Sequence, residues 1–135
     1  MNPILWMTVL HPAWAASLSV SQDGTGNYTD IQDAINASTS GDEIVVHGGE
    51  WNVNLDFQNK SLALIGNGSP LLRAEEEMFP VVTINSSANN QSRIEGFQLD
   101  GTHGVALLLW DAEVALTDLA ITGFGDFQGA ALVQS

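Results

Sequence analysis

Short stretches of alternating apolar and polar residues, closed by glycine, recur along the second half of the chain. Residues 94–101 align with residues 116–123, and residues 104–108 align with residues 129–133, at offsets of 22 and 25 positions. Val82 likewise precedes Leu107 by 25 positions. A period in this range is typical of stacked repeat architectures, and the alternation indicates strands and not helices. The pattern predicts an all-β fold, a single-stranded parallel β-helix.

The same alternation predicts strands earlier in the chain, at residues 17–20, 43–47, 55–57, 61–66, 71–74 and 81–84. Residues 47–51 are predicted to form a tight loop, and Leu62 is aligned with Ile44 at an offset of 18. We expect about four coils wound to the right, as the crossover rule for parallel strands requires. Side chains expected to point mostly inward are Leu62, Leu64, Val82, Ile84, Ile94, Phe97, Leu99, Leu107, Leu116, Leu119 and Ile121.

One segment departs from the β pattern. Residues 29–37 place Ile31, Ala34 and Ile35 on one helical face, and Thr29 or Asp30 can act as the N-cap. So short a helix needs an apolar surface to cover, and the end of a β stack provides one. We therefore expect a helix across the N-terminal end of the stack, against Ile44 and Val46.

The opposite end is predicted to be open. Residues 129–135 are strand-like and apolar, and no polar or helical cap follows them. We expect either that the coils continue in a longer chain, of which this is a fragment, or that two copies stack end to end.

Charge narrows the possible partners. Sixteen acidic residues face three basic ones, for a formal net charge of −13. Such a surface repels nucleic acid and anionic membranes, so neither is an expected partner. Neutral glycans, cations and basic partners stay compatible with this charge, and the acidic surface also simply favours solubility.

The first residues resemble an export signal. An apolar run at residues 4–10 precedes Ala13 and Ala15, which suit the −3 and −1 positions of a cleavage site. We interpret residues 1–15 as a signal peptide and residues 17–135 as the β-helix domain, secreted or displayed at the cell surface. No stretch of the sequence is long and apolar enough to span a bilayer, and the absence of cysteine excludes disulfides and thiolate zinc sites.

Residues 23–35 resemble the opening of many right-handed parallel β-helix proteins of the pectin-lyase-like superfamily, including pectinesterases and polygalacturonases. In those families this segment leads into the capping helix. Residues 41–46 followed by Trp51 look like their first coil. The paired strands that end at Gly101 and Gly123 are more similar to secreted bacterial β-helix proteins with repeats like those of polymorphic outer-membrane proteins and adhesins. This resemblance implies a scaffold that supports many functions.

The chemistry that the resemblance implies is not found in the sequence. A pectinesterase site would require two Asp residues, Gln donors and an Arg on central coils. The sequence offers no matching motif, and residues 124–129 have the wrong order. Arg73 and Arg93 are the only arginines, and neither adjoins an Asp pair in sequence. A paired-carboxylate glycosidase could draw on Asp100, Asp111, Asp118 or Asp126, yet Asp100 is expected at a turn and Asp118 on an outward strand position.

Metal chemistry is also weakly supported. His47 and His103 each precede a glycine, and two isolated histidines make no metal site. Residues 23–27 lack the spacing of a calcium loop, and residues 75–77 are interpreted as a solvated acidic insertion. We therefore assign no catalytic residue, metal or cofactor, and leave weak calcium binding at residues 75–77 open.

Two functions are compatible with these observations. One is a non-catalytic extracellular module that binds a polysaccharide or another surface. The other is the N-terminal part of a polysaccharide-active enzyme, such as a pectin lyase, esterase or hydrolase, with its catalytic coils beyond Ser135.

Overall fold

A computed structural model describes residues 16–85, 91–102, 104–122 and 131–133. These residues form one helix, α1 (Ile31–Ala37), and thirteen strands. The first coils contain β1 (Ser17–Val20), β2 (Glu43–His47), β3 (Glu50–Asn52), β4 (Leu55–Asp56), β5 (Ala63–Asn67), β6 (Leu71–Arg73) and β7 (Val82–Asn85). The later coils contain β8 (Gln91–Glu95), β9 (Gln98–Asp100), β10 (Leu107–Trp110), β11 (Glu113–Thr117), β12 (Ala120–Thr122) and β13 (Ala131–Val133).

The strands stack into three parallel sheets. Sheet one contains β1, β2, β5, β8 and β11; sheet two contains β3, β6, β9 and β12; sheet three contains β4, β7, β10 and β13. Each coil adds one strand to each sheet, and all the strand pairs are parallel. This arrangement confirms a single-stranded parallel β-helix of about four coils. The right-handed sense stays a prediction from the crossover rule.

Columns of apolar side chains fill the interior between the sheets. Ile44, Leu64 and Ile94 align through sheet one, and all three are buried. Of the residues expected to point inward, eight are buried: Leu62, Leu64, Val82, Ile84, Ile94, Phe97, Leu99 and Leu107. The other three lie in the last coil, where Leu119 and Ile121 are half-buried and Leu116 is exposed. Leu116 continues the sheet-one column, but β11 is the outermost strand of that sheet in the described structure.

Two of the predicted offsets are wrong by two residues. Ile44 pairs with Leu64 and not Leu62, and Leu108 pairs with Ala131 and not Val133. By contrast, the alignments of Ile94 with Leu116 and of Val82 with Leu107 are confirmed. A shift of two keeps every side chain on its original face, because strands alternate with a period of two. Sequence alternation therefore identifies the buried face without determining the register.

Three local assignments also need correction. Glu50 and Trp51, predicted within the tight loop of residues 47–51, belong to strand β3. Asp100 is the last residue of β9 and not a turn residue. Asp118 lies at the corner between β11 and β12 with φ of 52°, outside any strand. A left-handed residue at such a corner redirects the chain, and Asp tolerates this conformation better than most residues.

Helix α1 covers the N-terminal end of the stack, as predicted. It begins at Ile31, where the Asp30 side chain accepts a hydrogen bond from the Asp33 backbone N–H. Ile31, Ala34 and Ile35 are buried in the same core as Ile44 and Val46, and the helix contacts β1, β2 and β4.

Polar contacts fix the helix to the first coil. The Gln32 side chain donates to the Asp56 carbonyl at 3.1 Å and accepts from the Asp56 N–H at 2.9 Å. The Lys60 ammonium donates to the carbonyls of Ile35 at 2.7 Å and Asn36 at 3.1 Å. A cation near these last carbonyls stabilises the end of a helix.

Several predictions lie outside the described residues: the signal peptide of residues 1–15, His103, Asp126 and the 124–129 segment. Within the described ranges, no helix has the length and apolarity needed to cross a membrane.

Candidate functional site

The outer face of sheet two carries a row of four polar side chains that are aligned by strand register. One row runs through Asn52, Arg73, Asp100 and Thr122. The adjacent row runs through Glu50, Leu71, Gln98 and Ala120. Trp51, Leu72 and Leu99 alternate with these rows and are buried, so both rows face outward. We call these eight residues the sheet-two face.

Arg73 occupies the centre of this face between two carboxylates. Its Nη2 lies 3.6 Å from Oε1 of Glu50, and its Nε lies 3.5 Å from Oδ2 of Asp100. Both separations exceed the usual length of an N–H···O hydrogen bond. Arg73 Nε is also buried without a hydrogen-bond partner. Charge attraction therefore holds the guanidinium in place, and its Nε–H makes no hydrogen bond to either carboxylate.

The flanking polar groups are fixed by local bonds. The other Asp100 oxygen, Oδ1, accepts from the Thr102 N–H at 2.9 Å and from the Thr102 hydroxyl. The Gln98 amide donates to the Ser69 carbonyl at 3.1 Å, at the corner of the coil below. The Asp100 side chain is 21% exposed, whereas that of Glu50 is 67% exposed. The face therefore presents a fixed acid, a central cation and a solvated acid side by side.

Sequence inspection missed this grouping. Glu50, Arg73 and Asp100 belong to three successive coils, and only the pairing of β3, β6 and β9 brings them together. No motif marks them, because the residues that separate them form corners and loops of unequal length. Arg73 adjoins no Asp pair along the sequence, and the fold places it between Glu50 and Asp100.

The other candidate residues do not join this group. Asp111 and Asp118 are exposed corner residues with φ of 49° and 52°. Arg93 is exposed and aligns with Ala63 and Ala115 on sheet one. His47 Nδ1 lies 3.4 Å from the Asn67 amide nitrogen, on the same sheet. None of these side chains belongs to the sheet-two face.

No cluster of three or more His, Cys, Asp or Glu side chains suited to a metal occurs among the described residues. In the 23–27 turn, Asp23 accepts hydrogen bonds from the Ser21 hydroxyl at 2.6 Å and from the Thr25 hydroxyl at 2.6 Å and N–H at 2.9 Å. These donors, Ser21 foremost, lower the pKa of Asp23 from 3.8 to about 2. One oxygen of this carboxylate is therefore committed to the turn.

A scan against protein-family models and a search of the curated proteins found no match to this chain.

Proposed function

We propose that this protein is a non-catalytic binding module of the pectin-lyase-like β-helix class, secreted or displayed at the cell surface. The sheet-two face binds an uncharged polysaccharide. The observation that carries this proposal is the in-register row of Asn52, Arg73, Asp100 and Thr122 on a flat parallel sheet. Stacked strands repeat about every 4.8 Å, so the row offers hydrogen-bonding groups at regular spacing to an extended ligand.

The charge on this face favours an uncharged ligand. A sugar hydroxyl both donates and accepts, and it can bond to a carboxylate and to a guanidinium at once. An acidic polymer would meet Glu50, Asp100 and a net charge of −13. A basic ligand would have to compete with Arg73 for both carboxylates.

Exposure argues against acid–base catalysis at the same residues. A carboxylic acid that protonates a leaving group is normally tuned by a site that excludes water. The Glu50 side chain is mostly solvated, and Asp100 is engaged by Thr102 and Arg73. Both carboxylates are therefore better suited to accepting hydrogen bonds from a ligand than to transferring protons.

Affinity electrophoresis tests the proposal. The protein is run in native gels that contain soluble galactomannan, xyloglucan or polygalacturonate, beside a gel without polysaccharide. We expect at least one of the two neutral polymers to retard migration, and polygalacturonate to have no effect. Retardation by polygalacturonate alone, or by no polymer, would contradict the proposal.

Variants locate the binding surface. Arg73→Ala and Asp100→Asn should each weaken retardation by about tenfold or more, the loss expected when a hydrogen bond between a charged group and the ligand is removed. Arg93→Ala is the matched control, because it removes an exposed arginine from sheet one. Thermal melting of each variant separates lost binding from lost folding. Equal losses for Arg73→Ala and Arg93→Ala would rule out the sheet-two face.

A further inference from the structure

The loop between β6 and β7 presents an apolar pair to solvent. This segment, residues 74–81, is called the 74–81 loop. Met78 is 92% exposed and Phe79 is 55% exposed. Phe79 N–H donates to the Glu76 carbonyl at 3.1 Å, closing a turn with Met78 near its tip. Two adjacent apolar side chains exposed beside charged residues form the kind of surface that marks an interaction site.

The loop is held in place from the coil below. The Asn54 amide nitrogen donates to the carbonyls of Glu76 at 3.1 Å, Phe79 at 3.2 Å and Pro80 at 3.1 Å. The Asn54 oxygen accepts from the Glu76 N–H at 2.8 Å. The two Asn54 N–H groups are thus shared among three loop carbonyls, and the side chain contacts four backbone groups of the loop. A loop fixed in this way loses little conformational entropy when a partner binds.

The coil above also fits closely. A Cβ built on Gly104 would lie 3.2 Å from the Glu77 carbonyl oxygen, and Gly104 has φ of 153°. The missing side chain at Gly104 therefore lets the loop sit close to the next coil, so contacts from both sides fix its position.

Charge identifies the kind of partner. Glu75, Glu76 and Glu77 are all exposed and directly precede the apolar pair. The lysine and the two arginines have other neighbours. Arg73 lies between Glu50 and Asp100 on sheet two, Lys60 contacts the end of helix α1, and Arg93 is on sheet one. A ligand that covers Met78 and Phe79 must also accommodate the exposed carboxylates of Glu75 and Glu76. Anionic lipid or a second copy of this acidic chain would be repelled.

We infer that the 74–81 loop is a docking surface for a basic, amphipathic segment of another protein. The apolar side chains of that segment cover Met78 and Phe79, and its Lys or Arg side chains face Glu75 and Glu76. This surface lies between sheets two and three, and none of its residues belongs to the sheet-two face.

A labelled synthetic peptide tests this inference. The probe is an amphipathic Lys/Leu helix of about 15 residues, followed by fluorescence anisotropy against the intact protein. We expect saturable binding that weakens by about tenfold between roughly 50 and 300 mM NaCl, because exposed charges are screened by salt. A Lys/Gln peptide of equal charge and a Glu/Leu peptide of opposite charge should each bind at least about tenfold more weakly.

Paired variants separate the apolar and charge contributions. Met78→Ser with Phe79→Ser should weaken Lys/Leu binding by about tenfold or more. Glu75→Gln with Glu76→Gln should weaken it less, and should flatten its salt dependence. Trp110→Ser is the control for the apolar pair, because it replaces another exposed aromatic residue on sheet three. Asp33→Asn with Asp111→Asn controls for net charge, since both are exposed acids outside the loop.

Three results would overturn the inference. The first is equal binding of the Lys/Leu and Lys/Gln peptides, which would mean attraction to net charge alone. The second is a loss of binding in either control that matches the loss in the loop variants. The third is binding of zwitterionic lipid vesicles, or dimerisation in light scattering, that disappears with Met78→Ser and Phe79→Ser, because the apolar pair would then serve a membrane or a second copy.

Discussion

Replacing Ile35 with aspartate tests how much the capping helix stabilises the β-helix. Ile35 is completely buried and packs with Ile31 and Ala34 against the end of the stack. Losing its side chain alone should lower the free energy of unfolding by about 2–5 kcal/mol. Burying an unbonded polar group should add about 1–3 kcal/mol. The combined effect, roughly 3–8 kcal/mol, is comparable with the total stability of many domains.

Thermal melting followed by circular dichroism measures the effect. At roughly 3–5 °C per kcal/mol for a domain of this size, Ile35→Asp should lower Tm by at least about 10 °C. If Ile35→Asp is recovered only as insoluble protein, Ile35→Ala provides a milder version, with an expected loss of about 2–5 kcal/mol.

Ala37→Asp provides the matched control, since it adds the same side chain at an exposed position of the same helix. Its only expected cost is an unfavourable interaction with the helix C-terminus, about 1 kcal/mol or less. If Ile35→Asp melted within about 2 °C of the parent protein, or no lower than Ala37→Asp, the helix would not stabilise the stack.

Three further predictions concern other parts of the molecule. Because folding lowers the Asp23 pKa from 3.8 to about 2, its carboxylate stabilises the fold above about pH 4, and this contribution is lost as the pH falls towards 2. The Tm advantage of the parent over Asp23→Asn should shrink over that range, and an advantage that persists at pH 2 would contradict this assignment. Gly66→Ala should cost about 1–3 kcal/mol, because its Cβ would collide with the Gly96 carbonyl oxygen and lie 2.9 Å from the carbonyl carbon. Gly48→Ala, whose Cβ would come no nearer than 3.4 Å to another residue, should change urea-unfolding stability by less than about 0.5 kcal/mol, and equal effects would refute the steric argument. Finally, the protein should release neither methanol nor unsaturated products from pectin, with or without calcium; either product above a heat-inactivated control would favour the enzyme hypothesis.

The local pattern of the sequence was sufficient to predict the fold class. Alternation of apolar and polar residues identified most strands, and eight of the eleven side chains expected to point inward are buried, because the face on which a strand residue lies depends only on its own parity. The helical spacing of Ile31, Ala34 and Ile35 predicted the cap for the same reason. The approximate period of the repeats was enough to predict about four coils.

Register and the surface groupings were decided only by the tertiary structure. The alternation pattern allows Ile44 to pair with either Leu62 or Leu64, because a shift of two residues keeps the same face inward. The lengths of the intervening strands and corners select Leu64. The placement of Arg73 between Glu50 and Asp100, and of Asn54 beneath the 74–81 loop, depends on the lengths of corners in several coils. These contacts join residues that are more than twenty positions apart, so no local pattern in the sequence could have predicted them.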